Sequence, residues 1–327
     1  MRDIGLAGVP FSGKSTLFTA LTRTGAAGGR ANQAVVSVPD PRLAVLTEME
    51  HSAKTVAAQV RFVDVPGGTG SAQGVAALRE TDALAVVLRA FGPDQNTVAE
   101  LEEVYTELLL ADLAVIEPAA EKAEKRAKRD KSAGPEAEAL ARAKEILAKD
   151  QPLRDTQVSD EDAKLLKGVA PLTLKPLLVV ANLEEGEQIP DGLPPDTVGV
   201  YASIEAETAE MPPDEARALL EEFGVEKPGL DEVIHAGYRA LDLITFLTTG
   251  EDETRAWEVR RGAKAPEAAG VIHSDLERGF IRAEIIGYEE LVAAGGLDEA
   301  KHKGILRVEG KDYVVREGDI LNVRFAV

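Results

Sequence analysis

At 327 residues, with 44% hydrophobic and 29% charged side chains, the chain has material for about two domains of roughly 150 residues and a smaller third piece. The absence of cysteine excludes disulfides, thiolate nucleophiles and cysteine-ligated zinc, and the four histidines (His51, His235, His273, His302) lack the HxxxH spacing of a zinc site. A net charge of −20 and only 4% aromatic residues exclude broad DNA binding, which needs cationic surface to displace counterions, and disfavour a base-stacking platform.

Residues 4–9 read as a short buried strand and residues 15–24 as a helix with Leu17, Phe18 and Leu21 on one face. Gly25 stops it and residues 26–33 read as a flexible stretch. Strands follow at 34–38 and 60–64, the second running into the turn Val65-Pro66-Gly67-Gly68. The apolar runs at 83–90 and 176–181 are typical of parallel strands covered on both faces. Strands alternating with helices predict a doubly wound α/β domain over residues 1–96 and 153–240. Between them, residues 97–152 lose strand character and carry Leu101, Tyr105, Leu108 and Val115 at helical spacing. The breaker Gly134-Pro135 makes this a projecting helical hairpin. From 241 to 327, short alternating segments (281–285, 313–315, 322–325) predict a small β-rich domain. No apolar window reaches the length of a membrane span. Met1-Arg2-Asp3 carries an acid where a secretion signal is basic, so a cytoplasmic location is expected.

The segment Gly8-Val9-Pro10-Phe11-Ser12-Gly13-Lys14-Ser15 matches GxxxxGK[ST] in full. At average composition such a match arises by chance in roughly one chain in a hundred of this length. Lying between a strand and a helix, it has the context that phosphate binding demands. Gly8, Phe11, Ser12, Gly13 and Thr16 would line a cradle whose amides face phosphate. Lys14 would neutralise the β- and γ-phosphates, and the Ser15 hydroxyl would ligate Mg²⁺. Asp64-Val65-Pro66-Gly67 closes a strand about fifty residues on, as a DxxG: Asp64 would hold the Mg²⁺ shell, and the Gly67 amide would sense the γ-phosphate. Lys14, Asp64 and Gly67 are therefore the candidate catalytic residues. After the strand ending at Ala181 comes Asn182-Leu183-Glu184-Glu185, an NxxE where GTPases carry NKxD. The acid is one methylene longer and the lysine is missing, which weakens strict guanine selection. A helix N-cap with acids in its first turn explains the same four residues.

With these motifs the sequence resembles the Obg-related switch NTPases of the YchF/Ola type. Matching stretches include Val38-Pro39-Asp40-Pro41-Arg42-Leu43, Arg79-Glu80-Thr81-Asp82-Ala83 and Leu172-Thr173-Leu174-Lys175-Pro176. More specific are Ala256-Trp257 with Ala265-Pro266, Gly270-Val271-Ile272-His273 through Arg282-Ala283-Glu284, and Glu309-Gly310-Lys311-Asp312-Tyr313. The resemblance implies a P-loop domain, an inserted helical hairpin and a C-terminal TGS domain at 241–327, with ATP or GTP as ligand, Mg²⁺ as cofactor and the ribosome as partner. It implies base contacts at Asn182, Leu183 and Glu185, and a further nucleotide loop at Ala202 and Ser203, where Ser203 replaces a usual lysine.

The departures bear on catalysis. The family's first switch carries a threonine that completes the Mg²⁺ shell, whereas residues 28–38 are shortened and contain none. Gly68 stands where conventional switch GTPases place a water-positioning Gln, and the histidine that the family is thought to employ after the next strand is absent from residues 89–96. Hydrolysis is expected to be slow or partner-stimulated, because orienting the attacking water contributes strongly to its rate.

Lys122, Lys125, Arg126, Lys128, Arg129 and Lys131, interrupted only by Glu124 and Asp130, form a basic cluster at the tip of the hairpin. It reads either as a solvated helix face or as a contact to ribosomal RNA phosphates, with Lys125, Arg126, Lys128 and Arg129 as the candidate contacts. Trp257 beside Arg255, Arg260 and Arg261 reads as core or as a second such surface. A monomeric, ribosome-associated nucleotide switch is the function expected. A nucleotide-gated adaptor without catalysis and a small-molecule kinase are the competing readings, the kinase lacking an arginine-rich lid.

Overall fold

The computed structural model describes residues 2–23, 32–93, 95–225 and 228–326. Residues 24–31, which hold most of the expected flexible stretch and part of the shortened first switch, lie outside the described residues. The strands are β1 (Asp3–Ala7), β2 (Gln33–Ser37), β3 (Thr55–Val56), β4 (Gln59–Asp64), β5 (Ala83–Ala90), β6 (Leu177–Leu183), β7 (Val198–Val200), β8 (Leu243–Thr248), β9 (Thr254–Arg260), β10 (Phe280–Gly287), β11 (Arg307–Glu309) and β12 (Asp319–Phe325). The chain divides into two compact units, Met1–Val36 with Arg61–Gly237, and Ser37–Val60 with Tyr238–Val327.

The first unit is a doubly wound α/β domain. Its sheet has the order β2-β4-β1-β5-β6-β7, and β4, β1, β5, β6 and β7 pair in parallel. The continuous apolar run of β5 has the cause expected of it: all but Arg89 of its residues are buried. β1 ends at Ala7, because Gly8 and Val9 leave the strand to enter the glycine loop that leads into α1 (Lys14–Arg23). Helix α2 (Pro41–Met49) falls among the residues of the second unit, and helix α3 (Ala72–Arg79) starts on the side-chain cap of Ser71, whose Oγ accepts from Gly74 N.

The hairpin begins at α4 (Thr97–Ala127), capped by Asn96 Oδ1 accepting from Ala99 N, and returns as α5 (Gly134–Leu147). At about 1.5 Å per residue, the 31 residues of α4 reach roughly 46 Å. Leu109, Ile116 and Ala123, one heptad apart, pack with Leu140, Ala143 and Leu147. The hairpin belongs to the first unit and does not separate as a third body.

The second unit holds a mixed sheet of order β11-β10-β12-β8-β9-β3, with Phe246, Ala283, Ile285 and Leu321 packed against Ala265, Ala268 and Ala269 of the helix Ala265–Ile272. Two expectations differ here. Residues 313–315 form no strand, and Val314 makes only an isolated bridge to Lys264. Residues 37–60, read as part of the nucleotide domain, belong with the C-terminal unit, whose expected start at 241 moves to 238. The cause is long-range pairing: β3 lies parallel to β9, Ala53 N donates to Glu251 O, and Arg42 pairs with Glu317 at 2.6 Å. No helix among the described residues is long and apolar enough to cross a membrane.

Candidate functional site

The glycine loop after β1 is built from backbone conformations that side chains resist. Gly8 and Gly13 have φ of 135° and 91°, and Phe11, 89% exposed, sits at φ 67°. A Cβ on Gly8 would overlap Val87 O of β5, and one on Gly13 would overlap Asn182 Nδ2, so neighbouring strands close on the loop from outside. Ser12 is fully buried within it, and Thr16 is half-buried in the first turn of α1. Lys14 folds back over the loop, its Nζ donating to Gly8 O at 3.0 Å and Val9 O at 2.6 Å. Burial lowers its pKa, against the raising influence of the Asp64, Glu100 and Glu107 carboxylates.

Ser15 and Asp64 meet at the mouth of this loop, Ser15 Oγ donating to Asp64 Oδ2 at 3.1 Å. A hydroxyl and a carboxylate beside an ammonium form the hard-oxygen donor set that fits Mg²⁺ on a phosphate chain. Gly67 and Gly68 follow at φ 79° and 50°, and residues Gly68–Gly70 wind into a 3₁₀ turn. A Cβ at 68 would lie 2.7 Å from Gly8 O, so this loop in its observed seat has no room for a glutamine there.

Asn182, at the end of β6 and 4% exposed, joins two loops: its Nδ2 donates to Ser12 O at 3.4 Å, and its Oδ1 accepts from Ala202 N at 3.2 Å. Leu183 and Ala202 are buried, Glu185 is half-exposed, and Ser203 is exposed. Gly8, Phe11, Ser12, Gly13, Lys14, Ser15, Asp64, Gly67, Asn182 and Ala202 therefore converge at the C-terminal ends of parallel strands, where open α/β sheets bind ligands. Lys125, Arg126, Lys128 and Arg129 lie apart, exposed at the far end of α4 and the turn after it. Arg126 pairs with Glu136 and Lys128 with Glu124, while Lys125 and Arg129 make no ion pair among the described residues. Trp257 is half-buried against the core of the second unit, stacked with Phe246, its Nε1 donating to Thr248 Oγ1 and Arg255 lying over its ring.

Two further acids, Glu100 and Glu205, support the site. Glu100, in the first turn of α4, accepts from Arg89 N at 3.1 Å; burial raises its pKa against that hydrogen bond and the Lys14 charge. Glu205, 2% exposed, accepts from the amides of Tyr201, Gly229 and Leu230, which holds the 201–203 loop in place.

Residues 3–117 match a family profile described as "50S ribosome-binding GTPase", and residues 243–326 match the YchF-type C-terminal profile, described as a protein of unknown function. The chain is 40% identical to the Ribosome-binding ATPase YchF of Bacillus subtilis (strain 168), over 99% of each protein. The chain belongs to the YchF family. Within that family, Obg-like ATPase 1 of Caenorhabditis elegans is 34% identical over 98% of this chain and 91% of its own length. The solved Schizosaccharomyces pombe YchF GTPase superposes with a TM-score of 0.88 at 28% identity, covering 99% of this chain and 97% of that one. The resemblance carried by the sequence motifs thus extends over the whole chain, which is a YchF-family P-loop NTPase.

Proposed function

We propose that the chain binds MgATP or MgGTP in the residue 8–16 loop, hydrolyses it slowly, and signals its nucleotide state to the ribosome. The Ser15–Asp64 hydrogen bond, beside an ammonium folded over its own loop, carries this reading. On binding, Lys14 exchanges the Gly8 and Val9 carbonyls for phosphate oxygens, and the loop amides of residues 11–16 face the same phosphates. Ser15 and Asp64 would hold the Mg²⁺ shell, and the ion would supply charge neutralisation at the phosphoryl group. The Gly67 amide meets the γ-phosphate. Asn182, Leu183, Glu185, Ala202 and Ser203 form the base pocket, which discriminates weakly because no lysine closes over the base and the acid is Glu.

Hydrolysis is slow because Gly68 offers no side chain to orient water. The test is calorimetric titration of the intact chain with ATP and GTP in Mg²⁺, with Lys14→Met abolishing heat from both. Phosphate release by the chain alone faster than about one turnover per minute contradicts the slow cycle. The tight Gly68–Gly8 packing also favours a second reading, a nucleotide-gated adaptor without turnover. Ribosomes added to the turnover assay separate the two, since the switch accelerates and the adaptor does not.

The exposed arm tip is the proposed docking surface for ribosomal RNA phosphates, with the TGS unit as a second contact. The related proteins named as ribosome-binding support this, as does the exposure of Lys125, Arg126, Lys128 and Arg129 at the tip. Reversal of Lys125, Arg126, Lys128 and Arg129 to Glu is expected to abolish ribosome co-sedimentation. A monomeric cytoplasmic protein is the state in which this cycle is proposed to run.

A further inference from the structure

Two family motifs remain without a role after the nucleotide site is assembled: Arg79-Glu80-Thr81-Asp82-Ala83 and Leu172-Thr173-Leu174-Lys175-Pro176. In the structure they meet at the base of the arm. The Arg79 guanidinium donates to Asp112 Oδ1 at 2.8 Å, Ala170 O at 2.9 Å, Val169 O at 3.3 Å and Ala111 O at 2.8 Å. Asp112, wholly buried in α4, also accepts from Leu172 N at 2.9 Å, and from Thr173 N and Thr173 Oγ1 at 2.7 Å each. Lys175 Nζ donates to Arg79 O at 2.9 Å and to Thr81 O. One guanidinium and one carboxylate thus join three segments that are far apart in sequence: the end of α3, the arm helix and the chain returning into β6.

The other end of α3 is the phosphate-sensing loop. Ser71 caps the helix, a Cβ on Gly74 would overlap Gly68 O, and a Cβ on Gly67 would overlap Ser71 Oγ. This packing sets the loop directly against the first turn of the helix. The eight residues of α3 make a rigid rod of about 12 Å from the DxxG loop to Arg79. The loop's present seat is also imperfect: Thr69 Oγ1, buried, meets no partner among the described residues. A seat that leaves a buried hydroxyl unsatisfied is one from which a loop is readily displaced.

We propose that Arg79 is a positioning residue: through Asp112 it transmits displacement of the Gly67–Gly68 loop into the arm, so that the γ-phosphate sets the arm's position. Arg79 suits this task because its planar fork reaches four acceptors at once, which a lysine cannot do. The inference rests on the nucleotide reading above, and its test keeps the two apart.

The chain has no cysteine, so Ser132→Cys at the arm tip and Glu221→Cys on the helix Pro213–Glu222 accept spin labels cleanly. Pulsed electron-spin distances are measured with MgADP and with a non-hydrolysable MgATP analogue, beside calorimetric affinities for both and turnover. In the labelled parent chain the tip-to-body distribution is expected to differ between the two nucleotides. In Arg79→Met the two distributions coincide, kcat falls about tenfold, and KM and both affinities stay within about threefold. Arg79→Lys and Thr173→Val, which keep more of the knot, carry the test if Arg79→Met does not melt cooperatively, and each is expected to shrink the difference between the distributions. Absence of nucleotide binding by the parent overturns the nucleotide reading and this inference with it. Binding without any arm response in the parent, or a full response in folded Arg79 variants, overturns the inference alone.

Discussion

Ser15 Oγ and Asp64 Oδ2 lie 3.1 Å apart although 49 positions separate them in the chain. The parallel pairing of β1 with β4, Leu6 opposite Asp64, brings their loops to one edge of the sheet. The contact defines where a magnesium-bound phosphate tail fits.

Asp64→Asn keeps the hydrogen-bond acceptor and removes the charge. Its affinity for nucleotide in Mg²⁺ is expected to fall about 10–100-fold, the usual consequence of losing an outer-shell partner. Affinity in excess chelator should change by less than about threefold. Calorimetry under both conditions measures the difference, and an equal loss in both excludes a magnesium role for Asp64.

Restoring the missing glutamine is expected to fail. Gly68→Gln places a Cβ 2.7 Å from Gly8 O at a φ of 50°, so the loop must leave its seat. Turnover should not rise, and stability should fall by about 1–3 kcal/mol. Single-turnover phosphate release and urea denaturation give the two readings; faster hydrolysis would show that the loop tolerates a side chain there.

Glu205→Gln exchanges one of two accepting oxygens for an amide donor that faces backbone N–H groups of Tyr201, Gly229 and Leu230. A loss of about 1–3 kcal/mol is expected in urea denaturation followed by circular dichroism. Nucleotide affinity should weaken in parallel, since Ala202 in the displaced loop donates to Asn182.

Burial raises the pKa of Glu100 above its unfolded value, so ionisation is harder in the folded chain than in the unfolded one. Its charge therefore destabilises the fold at neutral pH, and the effect vanishes below the unfolded pKa of about 4.3. Glu100→Gln, which retains an acceptor for Arg89 N, is expected to raise the melting temperature at pH 7 and to leave it unchanged near pH 4. A gain of equal size at both values assigns the effect to packing rather than charge.

Much of this molecule was legible in local patterns. The apolar runs of β5 and β6, the glycines of residues 8–13, the helical spacing of Leu101, Tyr105 and Leu108, and the breaker at Gly134-Pro135 act within a few turns of the chain, where periodicity and backbone sterics decide conformation. The same short-range signals were enough to relate the chain to its family. Pairings over long separations were not legible. Nothing local indicates that residues 37–60 leave the nucleotide domain to add β3 beside β9, that Asn182 presses on Gly13, or that Asp112 gathers Arg79 and Thr173. Those partners are chosen by burial: a polar group removed from water must find a donor or acceptor wherever the fold supplies one, and the fold supplied them across separations from 33 to 198 positions.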